Sequence, residues 1–402
     1  MKISFVSYYY WPPHFGGELK ISIERFESLV QRGHKVMVLT SGVPGLPEQE
    51  IVDGIEILRS PIIHDSHFGR GIRRLVFPLW ASAQMRKMKF DILHHGGTGG
   101  ITPLDNFFGM TILNRRARQK KAAKVIVHSL ADTEKEVLVT RGFEARLRKK
   151  NLEQMDCIVS VSPALHTGVA RVFPEKAKMI LNAVKDGVFK PLKKEKRRNF
   201  RQSNGIIEEQ VVFSFLGTVS QRKGFDLLVP VFISLLMDNP SYRLWVIGPV
   251  SKVENQNVDE IAIERLTSNS KDHSKVIKYW GRIDNRDELT TILASSDVFV
   301  FPSRKEGMPL APMEAMSAGV PVIISRIPGV TDQASIEGVT GRYIQVNDAD
   351  ELRNAMIELG SDPELRKRMG RAARQRIEQE FGWEKHIDEW EALYTSLHDN
   401  LV

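Results

Sequence analysis

A single cysteine, Cys157, stands in 402 residues, which excludes an internal disulfide framework and any zinc site built from several thiolates. Usage this sparse fits a reducing compartment, so the expected location is the cytoplasm. Long apolar runs are missing too. The longest uncharged one, Leu227 to Met237, is interrupted by Pro230 and falls far short of the roughly 20 residues a membrane-spanning helix needs. The opening MKISFVSYYYWPP reaches Pro12 and Pro13 with neither an h-region of usual length nor a small-residue cleavage site, so it reads as a buried strand and not as a signal. No short-period repeat or low-complexity tract is visible, which argues against solenoids and propellers.

What remains is ordinary globular material: 42% hydrophobic and 26% charged residues, far from disordered or collagen-like composition. The length exceeds what one core supports and favours two domains of roughly 150 to 200 residues each. A net charge of +8 suits nucleic acid, anionic lipid or a phosphate-bearing substrate. Two runs concentrate it: Arg115, Arg116, Arg118, Lys120, Lys121 and Lys124, then Arg146, Arg148, Lys149 and Lys150. Solvated helix faces explain such runs as well as a functional patch does.

Strand-length apolar runs alternate with amphipathic stretches, the α/β pattern. Lys2 to Ser7 reads as a strand, Glu18 to Arg32 as a helix stopped by Gly33, and Lys35 to Thr40 as the next strand. Further strands are expected at Ile92 to His94, Lys124 to His128, Cys157 to Ser160 and Met179 to Leu181. A proline and a dense basic run, residues 191–201, break the pattern and read as a linker. The theme restarts with a strand at Val211 to Leu216, a glycine loop, a helix from Phe225 to Met237 and a strand at Arg243 to Ile247. The expected organisation is an N-terminal doubly wound domain at 1–190, the linker, a second such domain at 202–380 and a terminal helix at 381–402.

Three segments carry candidate chemistry. Gly16, Gly17 and Glu18 follow the first strand and open a helix, where close backbone approach and unpaired N–H groups suit an anion. Gly217 to Gly224 follows the first strand of the second domain, and its Arg222 and Lys223 are suited to a diphosphate: a bidentate fork and a point charge. Ser303 to Ala315 holds Glu306 and Glu314 on either side of seven residues, with Glu306 in a loop shaped by Gly307 and Pro309. Carboxylates placed so accept hydrogen bonds from sugar hydroxyls.

These segments together resemble the retaining GT-B glycosyltransferases of group 1, family 4 type. The resemblance extends to Asn182-Ala183-Val184, to Ala318-Gly319-Val320-Pro321-Val322 and to Phe381-Gly382-Trp383. It implies an α/β GT-B fold, two Rossmann-like doubly wound domains facing across a cleft, with the terminal helix crossing back onto the first domain. It implies a hexose-type sugar moved, with retained anomeric configuration, from a nucleotide-diphosphate sugar to a glycan, lipid-linked or small-molecule acceptor in polysaccharide or glycolipid assembly. By the same resemblance Glu314 binds the ribose, Glu306 faces the donor sugar, and Arg222 and Lys223 hold the diphosphate. Gly217, Gly307, Met308 and Leu310 complete the donor site, with Gly17 shared between donor and acceptor. Gly16 and Glu18 lie on the acceptor side, and His128 faces the transferred sugar. Thr218 stands where many relatives have arginine, and Lys185 where many have aspartate.

Asp348-Ala349-Asp350 resembles a metal-binding pair, yet Asp348 with Glu351 makes a capping box for the following helix. His64 with His67, and His94 with His95, lack a third ligand at metal spacing. No metal, no bound cofactor and no nucleic-acid partner are expected; peripheral contact with an anionic membrane at its inner face is. A nucleotide-sugar epimerase of the same fold and a non-catalytic polyanion- or glycan-binding protein are the alternative readings.

Overall fold

The computed structural model describes residues 1–7, 17–63, 70–96, 103–128, 143–250 and 276–400. The chain divides into two compact units, one of Met1–Asn182 with Glu384–Val402, the other of Ala183–Trp383.

Unit 1 is built on β1 (Lys2–Val6), α1 (Gly17–Gln31), β2 (Lys35–Gly42), β3 (Gln49–Val52), β4 (Ile55–Ile63), α2 (Arg70–Lys87) and β5 (Ile92–His95). α3 (Pro103–Gln119), β6 (Ala123–His128), α4 (Phe143–Glu153), β7 (Cys157–Ser160), α5 (Pro163–Val172) and β8 (Ala177–Met179) follow. The sheet order is β3-β4-β2-β1-β5-β6-β7-β8, parallel throughout except for the β3–β4 hairpin. Strands such as β5 and β7 are buried along their whole length, as a parallel sheet covered on both faces requires. Val6, Leu39, Phe77, Met85, Leu93 and Leu113 form one cluster of the core.

The end of α1 shows local sequence setting local structure. Gly33, at φ 89°, takes the left-handed position after the helix, and its N–H and that of His34 reach the carbonyls of Val30 and Leu29 at 2.9 and 3.0 Å. That is the Schellman closure glycine permits. At the sheet's far edge the last strand lies two residues earlier than the sequence pattern suggests, at Ala177–Met179, because Ile158, Val159 and Ser160 pair with those residues.

The terminal helix α12 (Trp383–Asp399) belongs to unit 1 from Glu384 onward. Its Ile387, Trp390 and Tyr394 are fully buried. The Arg25 guanidinium lies 3.9 Å from the centre of the Trp390 ring, and the Tyr394 hydroxyl is 2.6 Å from His94 Nδ1. At the rim Arg32 pairs with Glu384, Asp388 and Glu391 at 2.6–2.8 Å.

Unit 2 comprises α6 (Lys194–Ser203), β9 (Val211–Leu216), α7 (Phe225–Asp238), β10 (Tyr242–Ile247), β11 (Ile277–Gly281), α8 (Arg286–Ser295) and β12 (Val298–Phe301). α9 (Leu310–Ser317), β13 (Val322–Ser325), β14 (Gly341–Ile344), α10 (Ala349–Ser361) and α11 (Pro363–Glu380) follow among the described residues. Its sheet runs β11-β10-β9-β12-β13-β14, the strand order of a doubly wound nucleotide-binding fold.

Residues 191–201 differ from the linker reading: most of that run is helix α6, part of unit 2. Arg197 and Arg201 turn inward onto Asp297, at 2.6 and 2.8 Å, while Lys194, Glu195, Lys196 and Arg198 face solvent. Burial pushes the Asp297 carboxyl up, but the two guanidiniums and the Val212 N–H outweigh it and hold it below its ordinary value. Asp348 caps α10 by accepting from the Glu351 N–H at 2.8 Å. Glu351 in turn accepts from the Gln345 N–H, not from the cap residue itself.

Candidate active site

In an open α/β sheet, ligands bind outside the carboxyl ends of the strands, at the point where the strand order reverses. In unit 2 that point lies between β9 and β12, which pair through Val298–Phe213 and Phe299–Ser214. The glycine loop 217–224 leaves the end of β9 and the loop 302–309 leaves the end of β12. Sequence positions some eighty residues apart therefore meet.

The two loops are locked at the backbone. Gly224 caps α7 at φ 72°, and a Cβ there would lie 2.0 Å from the Pro302 carbonyl oxygen, so only glycine fits. The Arg304 N–H donates to the Arg222 carbonyl at 2.8 Å, and the Ser303 hydroxyl lies 3.1 Å from the same oxygen.

Side chains then converge on Glu306, which is 7% exposed. Its Oε1 accepts from Lys223 Nζ at 2.5 Å and from Ser303 Oγ at 2.6 Å, with an Arg222 nitrogen 3.6 Å away. Lys223 also sits 4.8 Å from the Phe301 ring centre. Arg222 donates to the Lys305 carbonyl at 3.1 Å and keeps 41% of its side chain exposed. Two cations, Arg222 part-exposed and Lys223 nearly buried, thus stand at the strand ends beside one buried carboxylate.

Gly217 opens the first loop, and a Cβ on it would meet Lys223 Cδ at 3.9 Å. Gly307 and buried Met308 lie on the second, and Leu310 is the first residue of the helix that follows it. After Pro309, α9 begins, and Glu314 is buried in it at 5% exposure. Arg286, the first residue of α8, interacts electrostatically with Glu314; burial lowers the Arg286 pKa and the Glu314 charge opposes that shift. The donor-side expectations of unit 2 thus gather on two adjoining loops and one helix.

Gly17 opens α1 and His128 closes β6, paired by its backbone with Ser160. Gly16 and the side chains of Glu18 and His128 lie outside the described residues, as do His64 and His67. His94 and His95 are fully buried strand-end residues; His95 bonds Asn114 at 2.9 Å. Burial lowers His95, against the Asn114 bond, to about 4. Burial likewise raises the Cys157 thiol to about 12, so it stays protonated. Among the described residues no group of His, Cys, Asp or Glu side chains is arranged to hold a metal ion.

Sequence reasoning assigned no role to Ser303, Arg304, Asp226 or Arg286. The serine three residues before Glu306 and the aspartate in the first turn after Arg-Lys-Gly were the available signals.

The model of glycosyl transferases group 1 matches residues 196–376, and that of glycosyltransferase family 4 matches residues 24–187. The chain belongs to the group 1 glycosyltransferases. An uncharacterised glycosyltransferase of Methanocaldococcus jannaschii is 26% identical over 98% of both chains. The N-acetyl-alpha-D-glucosaminyl L-malate synthase of Bacillus anthracis is 25% identical over 95% of this chain and 94% of its own. Among solved structures, sucrose-phosphate synthase from Thermosynechococcus elongatus matches with a TM-score of 0.81 at 21% identity, covering 99% of each chain. Anabaena HepE in complex with UDP and glucose matches at 0.75 with 16% identity, over 98% of this chain and 100% of that one. The fold is GT-B, two parallel-sheet Rossmann-like domains.

Proposed function

We propose that this glycosyltransferase moves a hexose-type sugar from a nucleotide-diphosphate sugar to a glycan, lipid-linked or small-molecule acceptor, retaining the anomeric configuration and using no metal. The observation that carries this reading is the convergence of Lys223, Arg222 and Glu306 at the reversal point of the unit 2 sheet. As the anomeric C–O bond breaks, its electron pair passes to the departing phosphate oxygen. Arg222 and Lys223 stabilise that charge, the role a metal plays elsewhere. The acceptor hydroxyl attacks from the leaving-group side and gives its proton to a phosphate oxygen. Glu314 takes the ribose hydroxyls, Glu306 orients the sugar, and His128 and Gly17 line the sugar and acceptor side.

The test is a thermal-shift panel of UDP-, GDP- and ADP-sugars on wild type and Glu314→Ala. One nucleotide should stabilise the wild type, with the shift lost in the variant; no shift from any would sink the reading. Transfer should persist in EDTA, and NMR of the product should show the donor's anomer. A product of inverted anomer would overturn the stereochemistry alone.

The enzyme is further proposed to work in the cytoplasm at an anionic membrane, in polysaccharide or glycolipid assembly. Support comes from α2 and α3. Val76, Leu79, Ala83, Arg86 and Lys87 share the exposed face of α2, and Arg115, Arg118 and Lys121 are exposed at the end of α3. The Lys120 ammonium donates to the Arg86 carbonyl at 3.0 Å, so the two basic ends adjoin. Apolar side chains beside cations favour a lipid surface over RNA. Lys124 is not part of this face; it is buried against Asp156 at 2.5 Å. Among the described residues no helix is long and apolar enough to cross a membrane. Flotation with vesicles should require anionic lipid, and equal recovery on neutral vesicles would refute the docking.

A further inference from the structure

We infer that Arg304 is a positioning residue for the reaction: it fixes the loop bearing Arg222 and Lys223 against the loop bearing Glu306, and so sets the geometry of the diphosphate cradle. The inference rests on the proposed transfer from a nucleotide-diphosphate sugar.

Arg304 touches four partners. Two guanidinium nitrogens form a fork on the Asp226 carboxylate at 2.6 and 2.9 Å. One of them also donates to the Gln221 carbonyl, and Nε donates to Asn347 Oδ1 at 2.6 Å. Its backbone N–H holds the Arg222 carbonyl at 2.8 Å. Gln221 and Asp226 stand on either side of Arg222-Lys223-Gly224, so one guanidinium grips both flanks of the segment that carries the two cations. Asn347, at φ 68°, adds the loop after β14.

The arrangement matters because the cations must point at a charge that develops during reaction. Lys223 already satisfies Glu306 at 2.5 Å, and a loop free to shift would let that pair turn away from the phosphate. Electrostatic stabilisation of a leaving group depends on donors held in place beforehand. Arg304 does not itself need to reach the phosphate; each of its three guanidinium nitrogens donates to a protein acceptor. Asp226 is 30% exposed, so water solvates it if the fork is removed and the fold survives the change. A lysine lacks the fork and holds only one flank.

The experiment compares wild type, Arg304→Gln, Arg304→Lys, Asp226→Asn and the Arg304→Gln, Asp226→Asn double variant. Melting temperature, nucleoside-diphosphate affinity by calorimetry, and kcat and KM for the stabilising donor are measured for each. Expected are a fall in kcat of tenfold or more in every variant and a change in KM of less than about threefold. Melting temperatures should stay near wild type, and the double variant should be no slower than the slower single one. Full recovery of kcat by Arg304→Lys, effects that multiply in the double variant, or a loss that follows melting temperature alone would each overturn the inference. A wild type that binds no nucleoside diphosphate and transfers no sugar would sink the reading of the site and this inference with it. An active wild type with variants of equal kcat would sink the inference alone.

Discussion

At the scale of single residues, Gly224 joins backbone geometry to the site. Its φ of 72° costs a non-glycine residue about 1–2 kcal/mol. A Cβ there would also stand 2.0 Å from the Pro302 carbonyl oxygen, which is backbone and cannot swing aside. Gly224→Ala should therefore lower the denaturant midpoint by more than the left-handed penalty alone. It should also weaken nucleotide binding by parting the two loops, and a variant of wild-type stability and affinity would refute this. The two loops of the candidate site were legible because loop cations after a strand and a spaced pair of glutamates survive as pattern. Arg304 was not, since its partner Asp226 lies 78 positions away and only the adjacency of β9 and β12 joins them.

Elements were legible where one periodicity dominated. β1, α1 with its Gly33 stop, β7, β9 and α7 fall close to where alternation and turn residues place them. The basic run at 191–201 was misread because its charge density hides the fact that two arginines on α6 serve one carboxylate, Asp297. The edge pair β3–β4 and the strands β11, β13 and β14 were not distinguished by pattern. Helix α12 permits a comparison of magnitudes. The Arg32 partners Glu384 and Asp388 have side chains 81% and 68% exposed, and exposed ion pairs contribute about 1 kcal/mol or less. Trp390 is 1% exposed, and emptying such a position costs about 3–5 kcal/mol. Trp390→Ala should depress the melting temperature far more than Arg32→Ala, and deletion of residues after Gly382 more still. Equal effects of the two substitutions would mean that the rim, not the buried face, holds the helix.

Across the whole molecule, acid should act unevenly. His94 is lowered well below its ordinary 6.5 by burial and by the Arg25 and His95 charges, and His386 by burial and Arg25. His95 is lowered to about 4. All three belong to unit 1. A histidine held neutral in the fold takes up protons only on unfolding, so its stability contribution is complete above about pH 7. It is lost as pH falls from 6.5 toward the folded values, at about 1.4 kcal/mol per pH unit for each group. Asp297 in unit 2 carries the opposite shift, and its contribution is lost only as pH falls below its ordinary 3.8. Calorimetry from pH 7.5 to 4.5 should show unit 1 melting earlier with each step below about pH 6.5 while unit 2 holds. Transitions that stay together and level down to pH 5 would refute this.

Unit 2 is one continuous stretch, Ala183–Trp383, set between the two pieces of unit 1. During synthesis the usual sequence of events, N-terminal domain first, is therefore altered. A growing chain can finish unit 2 while unit 1 still lacks the helix that brings Trp390 and Tyr394 over Arg25 and His94. Until then, that apolar face and the buried arginine beneath it are open to chaperones, and unit 1 is the last part of the enzyme to mature.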